Sequence, residues 1–353
     1  MSLPPVLRDL LTAPGPSGRE EIASAVFRKH ASAFATLEWD TFGSTVGRVS
    51  GTQEGVPSLA VVGHIDEIGL IVTHIDEKGF LRIAPVGGQD PQQLVGQRVR
   101  VITKGGDLVP GVIGKKPIHL IEADERSRAA KIKDLTIDIG AADKEDARAV
   151  VRIGDVAVID AEPLELRGGR VASRSMDNRI GSFVAYEAAR LVAEAGGAPG
   201  EVQAWAVARE ETGLHGAKTT AHRVRPGLAI VVDVTFASDH PGVDVNEIGE
   251  HPLGSGPVVE LGTPLHPWIG DRLIEIAEQE DIPFTVSATG RGTGTDADAI
   301  NIAADGIPTA VIGVPLRYMH SVVETAQVDD ILNAAKLIAA FAQRLDPSVD
   351  LRR

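Results

Sequence analysis

EVQAWAVAREETGLHGA, residues 201–217, joins an apolar strand-like run to a turn and the start of a helix. Glu210 and Glu211 stand side by side where the run ends, and Gly213 and Gly216 follow in the turn. Burying two neighbouring carboxylates is costly unless cations or hydrogen-bond donors compensate their charge. The pair therefore indicates a metal site or a proton-transfer site, and an exposed acidic loop is the alternative.

Helices and strands are predicted to alternate around this junction. Before it, helical patterns occur near residues 7–11 and 19–30, and a strand ends at Gly63. From residue 169 onward, the predicted helices are 178–195, 214–224, 268–280 and 329–345, and the predicted strands are 202–208, 228–234, 283–288 and 309–314. This alternation predicts an α/β fold whose mixed sheet is covered by helices on both faces.

The region 68–168 has a different pattern. It consists of short β runs separated by Gly, Asp and Lys turns: IGLIVTHI, FLRIAPV, RVRVIT, LVPGVIG and VRIGDVAVI. We therefore predict a discontinuous α/β domain, residues 1–67 and 169–353, interrupted by a small all-β domain at 68–168.

Composition excludes several classes of function. The 353 residues carry a net charge of -14, and no basic run is present to bind nucleic acid. No apolar run reaches the roughly 20 residues of a membrane span, and the first residues lack a signal-peptide pattern. The absence of cysteine excludes disulfides and thiolate ligands and favours a cytoplasmic protein.

Polar residues recur where the predicted strands end. His64 and Asp66 follow the strand LAVVG, Asp233 ends LAIVVDV, and His320 follows TAVIGVP after a short loop. Asp177 lies just before a predicted helix. Ligands of open α/β sheets bind at the carboxyl ends of strands, so these side chains are expected to converge. Imidazoles and carboxylates without sulfur suit zinc, cobalt or manganese.

Each of these residues also has an ordinary structural interpretation. His64 and His320 can be buried structural histidines, Asp177 can be a helix N-cap, and Asp233 can be a turn residue at a strand end. Their joint occurrence at strand ends favours one common site, because the independent explanations would all have to hold at once.

Six ordered motifs carry a resemblance to a known family. They are HIDEIGL (64–70), SMDNRIG (175–181), EETGLHGA (210–217), VDVT (232–235), GTDADAI (294–300) and RYMHSVVE (317–324). Together they resemble the M42 metallo-aminopeptidases, which include the tetrahedral TET peptidases and are similar to other co-catalytic zinc exopeptidases. The resemblance covers nearly the whole chain and implies that the β insert is a dimerisation domain.

The resemblance implies a role for each ligand candidate. Asp177 is expected to bridge two divalent metal ions. His64 and Glu211 would complete one metal site, and Asp233 and His320 would complete the other. The ions would be Zn²⁺ or Co²⁺, with Mn²⁺ as a further candidate.

The same resemblance implies the reaction. Glu210 would act as general base on a metal-bridging water and then deliver the proton to the leaving amine. Asp66 would accept the ring proton of His64 and so orient it. The expected activity is removal of N-terminal residues from short peptides.

The glycine-rich RGTGTDAD, residues 291–298, lacks the features of a nucleotide-binding loop. By likeness to the family, Gly294 and Asp296 line the substrate site, although a tight turn is the alternative. Arg291 is either a selector of acidic side chains or an exposed loop residue. Asn301 stands where family members often have histidine, so a polar contact near the substrate pocket is expected to differ.

The resemblance further implies homo-oligomers, with dimers assembling into a hollow tetrahedral dodecamer. Two other functions remain open at this point. One is a binding or regulatory protein on a catalytically altered version of the scaffold. The other is an endoglucanase-type glycoside hydrolase using paired carboxylates, although adjacent glutamates do not by themselves supply the opposed geometry of that reaction.

Overall fold

The structure is a computed structural model that describes residues 2–122 and 128–352. Its helices are α1 (Pro5–Thr12), α2 (Glu21–Ala31), α3 (Pro91–Leu94), α4 (Lys144–Val150), α5 (Met176–Glu194), α6 (His215–Val224), α7 (Val245–Ile248), α8 (Pro267–Gln279), α9 (Ala297–Ile300) and α10 (Val328–Ala342). Short 3-10 turns occur at Ile118–Leu120 and Ile132–Asp134.

The strands before residue 169 are β1 (Thr36–Trp39), β2 (Thr45–Val49), β3 (Leu59–His64), β4 (Gly69–Ile75), β5 (Leu81–Val86), β6 (Arg98–Ile102), β7 (Leu108–Gly114), β8 (Thr136–Asp138), β9 (Val156–Ile159) and β10 (Leu164–Glu165). Those after it are β11 (Arg170–Ser173), β12 (Val202–Val207), β13 (Leu228–Phe236), β14 (Val258–Gly262), β15 (Thr285–Thr289), β16 (Thr309–Arg317) and β17 (Glu324–Gln327).

A mixed sheet forms the centre of the molecule. Its described strands run in the order β1-β2-β12-β3-β13-β16-β17-β11-β10, and β14 joins β16 to β15 beside this path. The central strands β12, β3, β13 and β16 are parallel, whereas the strands toward both ends pair antiparallel. The parallel strands end at a common edge, which is where a ligand site is expected.

Helices cover both faces of this sheet. Apolar residues of α1, α2, α5, α8 and α10 pack on one face, with Phe27, Phe183 and Phe341 among the largest buried side chains. On the other face, α6 and α9 pack against Trp205 and the alternate residues of the central strands. This arrangement confirms the predicted sandwich of helices around a mixed sheet.

The inserted β region forms a closed barrel with the strand order β4-β5-β8-β7-β6-β9. The barrel has its own apolar core, which includes Leu70, Leu81 and Ile137. Strand β10 lies within the predicted insert 68–168 but pairs with β11 of the large sheet. Residues 123–127 of the insert lie outside the described residues. The role of the insert in dimerisation stays a prediction.

No helix within the described residues is long and apolar enough to cross a membrane. The cytoplasmic location expected from the composition stays a prediction.

Strand β3 and helix α5 approach each other closely just before His64. A Cβ atom at Gly63 would lie 2.1 Å from the carbonyl carbon of Gly181 and 2.2 Å from the amide nitrogen of Ser182. The Ser182 hydroxyl also donates a hydrogen bond to the carbonyl of His64 at 2.9 Å. Gly63 therefore allows the helix that follows Asp177 to pack directly on the strand that carries His64.

Replacing Gly63 by alanine is expected to destabilise the fold by at least about 2 kcal/mol, because the new methyl group meets backbone atoms that no rotamer change can move. The matched control is Gly114→Ala, since no heavy atom lies within 4 Å of a Cβ at Gly114. Thermal unfolding at fixed protein concentration measures both. A Gly63→Ala protein that melts with the Gly114→Ala control would contradict this close-packing argument.

Candidate active site

The predicted site residues come together at the carboxyl edge of the central strands. His64 ends β3, Glu210 and Glu211 follow β12, and Asp233 lies in β13. Asp177 joins them from the first turn of α5, and His320 joins from the loop after β16. The structure therefore gathers every candidate ligand into one place.

Asp177 lies between the two imidazoles. Its Oδ1 is 3.1 Å from Nε2 of His64, and its Oδ2 is 3.3 Å from Nε2 of His320. The side chain of Asp177 does not cap α5, whose N-terminus has no side-chain cap. Each carboxylate oxygen thus faces a different histidine, as a ligand shared by two cations would.

The remaining carboxylates divide between the two histidines. Glu211 Oε1 is 3.7 Å from Nε2 of His320, and Glu210 Oε2 is 3.8 Å from Nε2 of His64. Possible ligand atoms of His64, Glu210 and Asp233 all lie within 4.8 Å of one another, and so do those of His64, Asp177 and Glu211. No such group within the described residues joins Asp233 to His320.

Asp66 contacts both His64 and the acidic pair. Nδ1 of His64 lies 3.2 Å from the main-chain carbonyl of Asp66 and 3.5 Å from its carboxylate. Both oxygens of Asp66 thus lie on the Nδ1 side of the ring, and the expected role of its carboxylate in orienting His64 stays a prediction. The carboxylate accepts hydrogen bonds from the backbone N–H groups of Glu210 at 3.1 Å and Glu211 at 3.2 Å. Asp66 thus holds both glutamates in position.

The acidic side chains of the site outnumber its two imidazoles. Burial, and then the charge of Asp177, raise the pKa of Glu211 to about 8. Burial also raises the pKa of Asp233 well above its usual value, and the nearby carboxylates of Asp177 and Glu210 add to this against the His64 imidazole. Buried Oε1 of Glu211 has no hydrogen-bond partner among the described residues.

The pKa values of the two histidines are raised as well, which favours their charged forms. Hydrogen bonding to Asp177 raises the pKa of His320 to about 9 although burial opposes it. For Asp177 itself, burial would raise the pKa, but the imidazoles of His320 and His64 lower it well below the usual range. An unpartnered carboxylate oxygen and crowded carboxylates facing imidazoles fit a pair of divalent cations.

Backbone strain concentrates at the site. Ser175, Arg209 and His320 have φ angles of 58°, 59° and 59°, in the left-handed region that non-glycine residues seldom adopt. His320 is itself a candidate ligand. Ser175 lies two residues before Asp177, and Arg209 lies two residues before Glu211. Such conformations persist where the surrounding structure holds them, which is typical of functional sites.

Glu324 is a supporting residue that the sequence reasoning missed. Its buried carboxylate accepts a hydrogen bond from the N–H of His320 at 2.8 Å and from the N–H of Asp177 at 3.2 Å. It therefore ties together two candidate ligands that are far apart in the chain. Its position at the end of the RYMHSVVE motif was the available signal.

A buried ion-pair network anchors the N-terminal segment beside the site. Glu67 pairs with Arg174 and with Arg179, and its Oε1 accepts the N–H of Gly15 at 2.9 Å. Arg179 also donates to the carbonyl of Leu10 at 2.6 Å. These bonds satisfy charges that would otherwise be buried alone and fix the C-terminal end of α1.

The barrel contacts the site through the loop after β5. Nδ1 of His320 lies 2.9 Å from the carbonyl oxygen of Gly88. A Cβ atom at Gly88 would lie 2.9 Å from the same nitrogen, so a side chain there would crowd the ring. The inserted domain thereby orients one candidate ligand.

The residues predicted to line the substrate site have different environments. Asp296 is 1% exposed, its Oδ1 has no described hydrogen-bond partner, and burial followed by the charge of Glu210 raises its pKa well above the usual value. The N–H of Gly294 donates to Asp298 at 3.0 Å in a turn, and Arg291 is exposed.

Asn301 lies away from the candidate ligands. Its side chain donates to the carbonyl of Pro264 at 3.3 Å and lines a separate cavity with His266 and Leu351. The expected change of a polar contact near the substrate pocket stays a prediction.

A family model described as M42 glutamyl aminopeptidase matches residues 43–337. The chain belongs to the M42 peptidase family. A lysyl aminopeptidase of Pyrococcus furiosus is 33% identical over 346 residues, which cover 97% of this chain and 97% of that protein. Membership makes the chain a hydrolase of the peptidase class, and enzymes of this family are metal-dependent.

Solved structures agree with this assignment. A TET aminopeptidase from a marine sediment archaeon of the Thaumarchaeota has a TM-score of 0.90 and 35% identity, covering 97% of this chain and 96% of that one. The TET1 peptidase of Pyrococcus horikoshii has a TM-score of 0.84 and 33% identity, with coverage of 96% and 99%. That peptidase is described as assembling into a tetrahedron or a large octahedral shell.

The metal-free M42 protein is expected to lose stability as the pH rises from about 5 to 9. The folded-state pKa values of Glu211 (about 8) and His320 (about 9) both exceed the unfolded values of 4.5 and 6.5. The folded state therefore holds more protons than the unfolded chain in this window, and stability falls as they leave.

The measurement is the melting temperature of chelator-treated protein across this pH range, with and without added zinc. Zinc should restore more stability at high pH, because protons no longer compete for the ligands. A Glu211→Gln variant should show a shallower metal-free decline. A flat or rising melting temperature in the metal-free wild type would contradict the charge crowding.

Proposed function

We propose that this peptidase is an aminopeptidase with two divalent metal ions, which removes N-terminal residues from short peptides. The observation that carries the proposal is the position of Asp177, whose two oxygens each face a different imidazole. A single cation would use one of these histidines and leave the other carboxylates uncompensated. Two cations account for the whole cluster.

The contacts favour a partition of ligands that differs from the one implied by the resemblance. We assign His64 and Asp233 to one ion, Glu211 and His320 to the other, and Asp177 to both. One reason is that Nε2 of His320 lies 3.7 Å from Oε1 of Glu211. The other is that possible ligand atoms of His64 and Asp233 lie within 4.8 Å of each other. Imidazole and carboxylate ligands suit Zn²⁺, Co²⁺ or Mn²⁺.

When bound, such a pair of ions polarises a peptide carbonyl and makes a water molecule more acidic. The chain's own contribution centres on Glu210, whose side chain is 13% exposed and so remains accessible at the edge of the cluster. Burial, with the charges of Asp66 and Asp177 against the His64 imidazole, raises the pKa of Glu210. A raised pKa suits a group that takes a proton and gives it back.

In this mechanism Glu210 accepts a proton from the attacking water and delivers it to the nitrogen of the leaving amine. Asp66 positions it by accepting its backbone N–H at 3.1 Å. The adjacent Glu211 faces His320 instead, so the two glutamates do different work although they are neighbours.

The alternatives have less support. A binding protein on an altered scaffold would be expected to have lost some ligands, but every candidate ligand is present and buried or half-buried. For glycoside hydrolysis, two carboxyl groups must flank a bond from opposite sides. Here Glu210 and Glu211 are directed toward different histidines of one cluster.

We further propose a homo-oligomer in which dimers form through the barrel and assemble into a dodecamer, because the related TET1 peptidase forms closed shells. Light scattering of the metal-loaded protein should give a mass near twelve times the 37.1 kDa of the chain. An active monomer at working concentration would contradict this assembly.

Glu210→Gln is expected to lower kcat by about 100- to 10,000-fold while metal content is unchanged, because it removes the proton acceptor and leaves the other ligands intact. Hydrolysis of aminoacyl-p-nitroanilides and metal analysis of the same preparation measure the two effects. Retention of near wild-type kcat would remove Glu210 from the role of base.

Glu211→Gln and Asp177→Ala are the matched comparisons. Both should lose metal together with activity, and Asp177→Ala should lose both ions because each depends on the shared carboxylate. Full metal occupancy in Asp177→Ala would contradict the bridging role. Cellulose hydrolysis that survives a chelator would instead support the glycosidase alternative.

A further inference from the structure

A further cavity lies next to the cluster, because it is lined by Val234 and Thr235, which follow Asp233 in β13, and by Thr295, which precedes Asp296. Its volume is about 90 Å³, enough for several water molecules. Its lining is mostly polar and includes Thr235, Glu260, Ser287, Thr293, Thr295 and Gly313. The catalytic steps proposed above do not use any of these residues.

Sheet register places Glu260 on the same face as Asp233. Asp233 of β13 is paired with Gly313 of β16, and Gly313 is paired with Val258 of β14. Paired residues share a face of the sheet, and so do residues two apart along a strand. Glu260 therefore faces the same side as Asp233, at a Cα separation of about 12 Å from strand spacing and rise.

Gly313 of β16, which lies between β13 and β14, forms one wall of the cavity without a side chain. A Cβ atom at Gly313 would lie 2.9 Å from Cγ2 of Thr235 and 3.6 Å from Cβ of Val258. Any larger residue at this position would crowd Thr235 and Val258, both of which line the cavity.

Among the described residues, Glu260 has no compensating partner. No described residue donates a hydrogen bond to its carboxylate or forms an ion pair with it, and Thr293, Thr295 and Ser287 supply only neutral hydroxyls. Burial, and then the charge of Asp298, raise its pKa to about 7. A cation entering the cavity would relieve both effects.

We propose that this cavity receives the side chain of the substrate's N-terminal residue and that Glu260 selects a basic one, lysine or arginine. The proposal rests on the aminopeptidase function and specifies its substrate class. A long apolar stem would pass Gly313 and Val258, and its charged end would pair with Glu260 among the hydroxyls. An acidic side chain would meet a like charge in a desolvated space.

The alternative selector, Arg291, does not line this cavity and is exposed. Its guanidinium is therefore not placed to pair with a side chain buried beside Glu260. The cavity accordingly disfavours glutamyl and aspartyl substrates.

The experiment compares kcat/KM for lysyl, arginyl, leucyl and glutamyl p-nitroanilides with metal-loaded protein at about pH 8, where Glu260 is mostly ionised. The wild type should prefer the basic substrates. Glu260→Gln should lower kcat/KM for them by about 10- to 100-fold, mainly through KM, and change the leucyl value less than about threefold. Competitive inhibition by free L-lysine should weaken in parallel.

Glu278→Gln is the matched control, because Glu278 is exposed on the neighbouring α8 and should leave the profile unchanged. Glu260→Lys tests the sign of the charge and should shift preference toward glutamyl substrates. A wild type that hydrolyses leucyl or glutamyl substrates best, or a profile unaffected by Glu260→Gln, overturns the role of Glu260 and leaves the aminopeptidase function intact. No hydrolysis of any aminoacyl substrate overturns both.

Discussion

The carboxylate of Asp177 lies between the Nε2 atoms of two histidines, and the rest of the site is arranged around this shared position. A carboxylate that serves two cations must be held in both translation and rotation, since a small turn about its axis would favour one partner over the other. The backbone of Asp177 is accordingly bonded to Glu324, which also holds the N–H of His320. Glu324 thus supports Asp177 and one of the two histidines beside it together.

Much of the fold and of the ligand set was predictable from the sequence. Each apolar strand and each amphipathic helix has a hydrophobic pattern that repeats within a few residues. Local sequence patterns therefore predict the α/β sandwich and the separate β insert. The candidate ligands His64, Glu211, Asp233 and His320 were identifiable because they end or follow apolar runs. Asp177 was identifiable because it lies just before a predicted helix. Family motifs then added roles that no single residue type could supply.

Features that depend on the approach of distant segments were not predictable. The contact of His320 with Glu211, instead of Asp233, follows from the path of the loop after β16, which Gly88 of the barrel also contacts. The approach of the Asp66 carbonyl to Nδ1 of His64 at 3.2 Å depends on the orientation of the ring. Strand β14 was missed because its apolar run is short. Glu260 was missed with it, because the position of Glu260 depends on the register of three strands.

The order of strands in the sheet has a consequence for biosynthesis. Strand β12 pairs between β2 and β3, and β16 pairs with β13, so the barrel separates parts of the chain that must later pair in one sheet. The ligands extend from residue 64 to residue 320, and no short segment contains a complete set. Contacts of such long sequence separation form late, after much chain entropy has been lost. If the proposed metal site forms, a nascent chain still lacking its last strands would have no complete ligand set, and cation uptake would report that the whole α/β domain has folded.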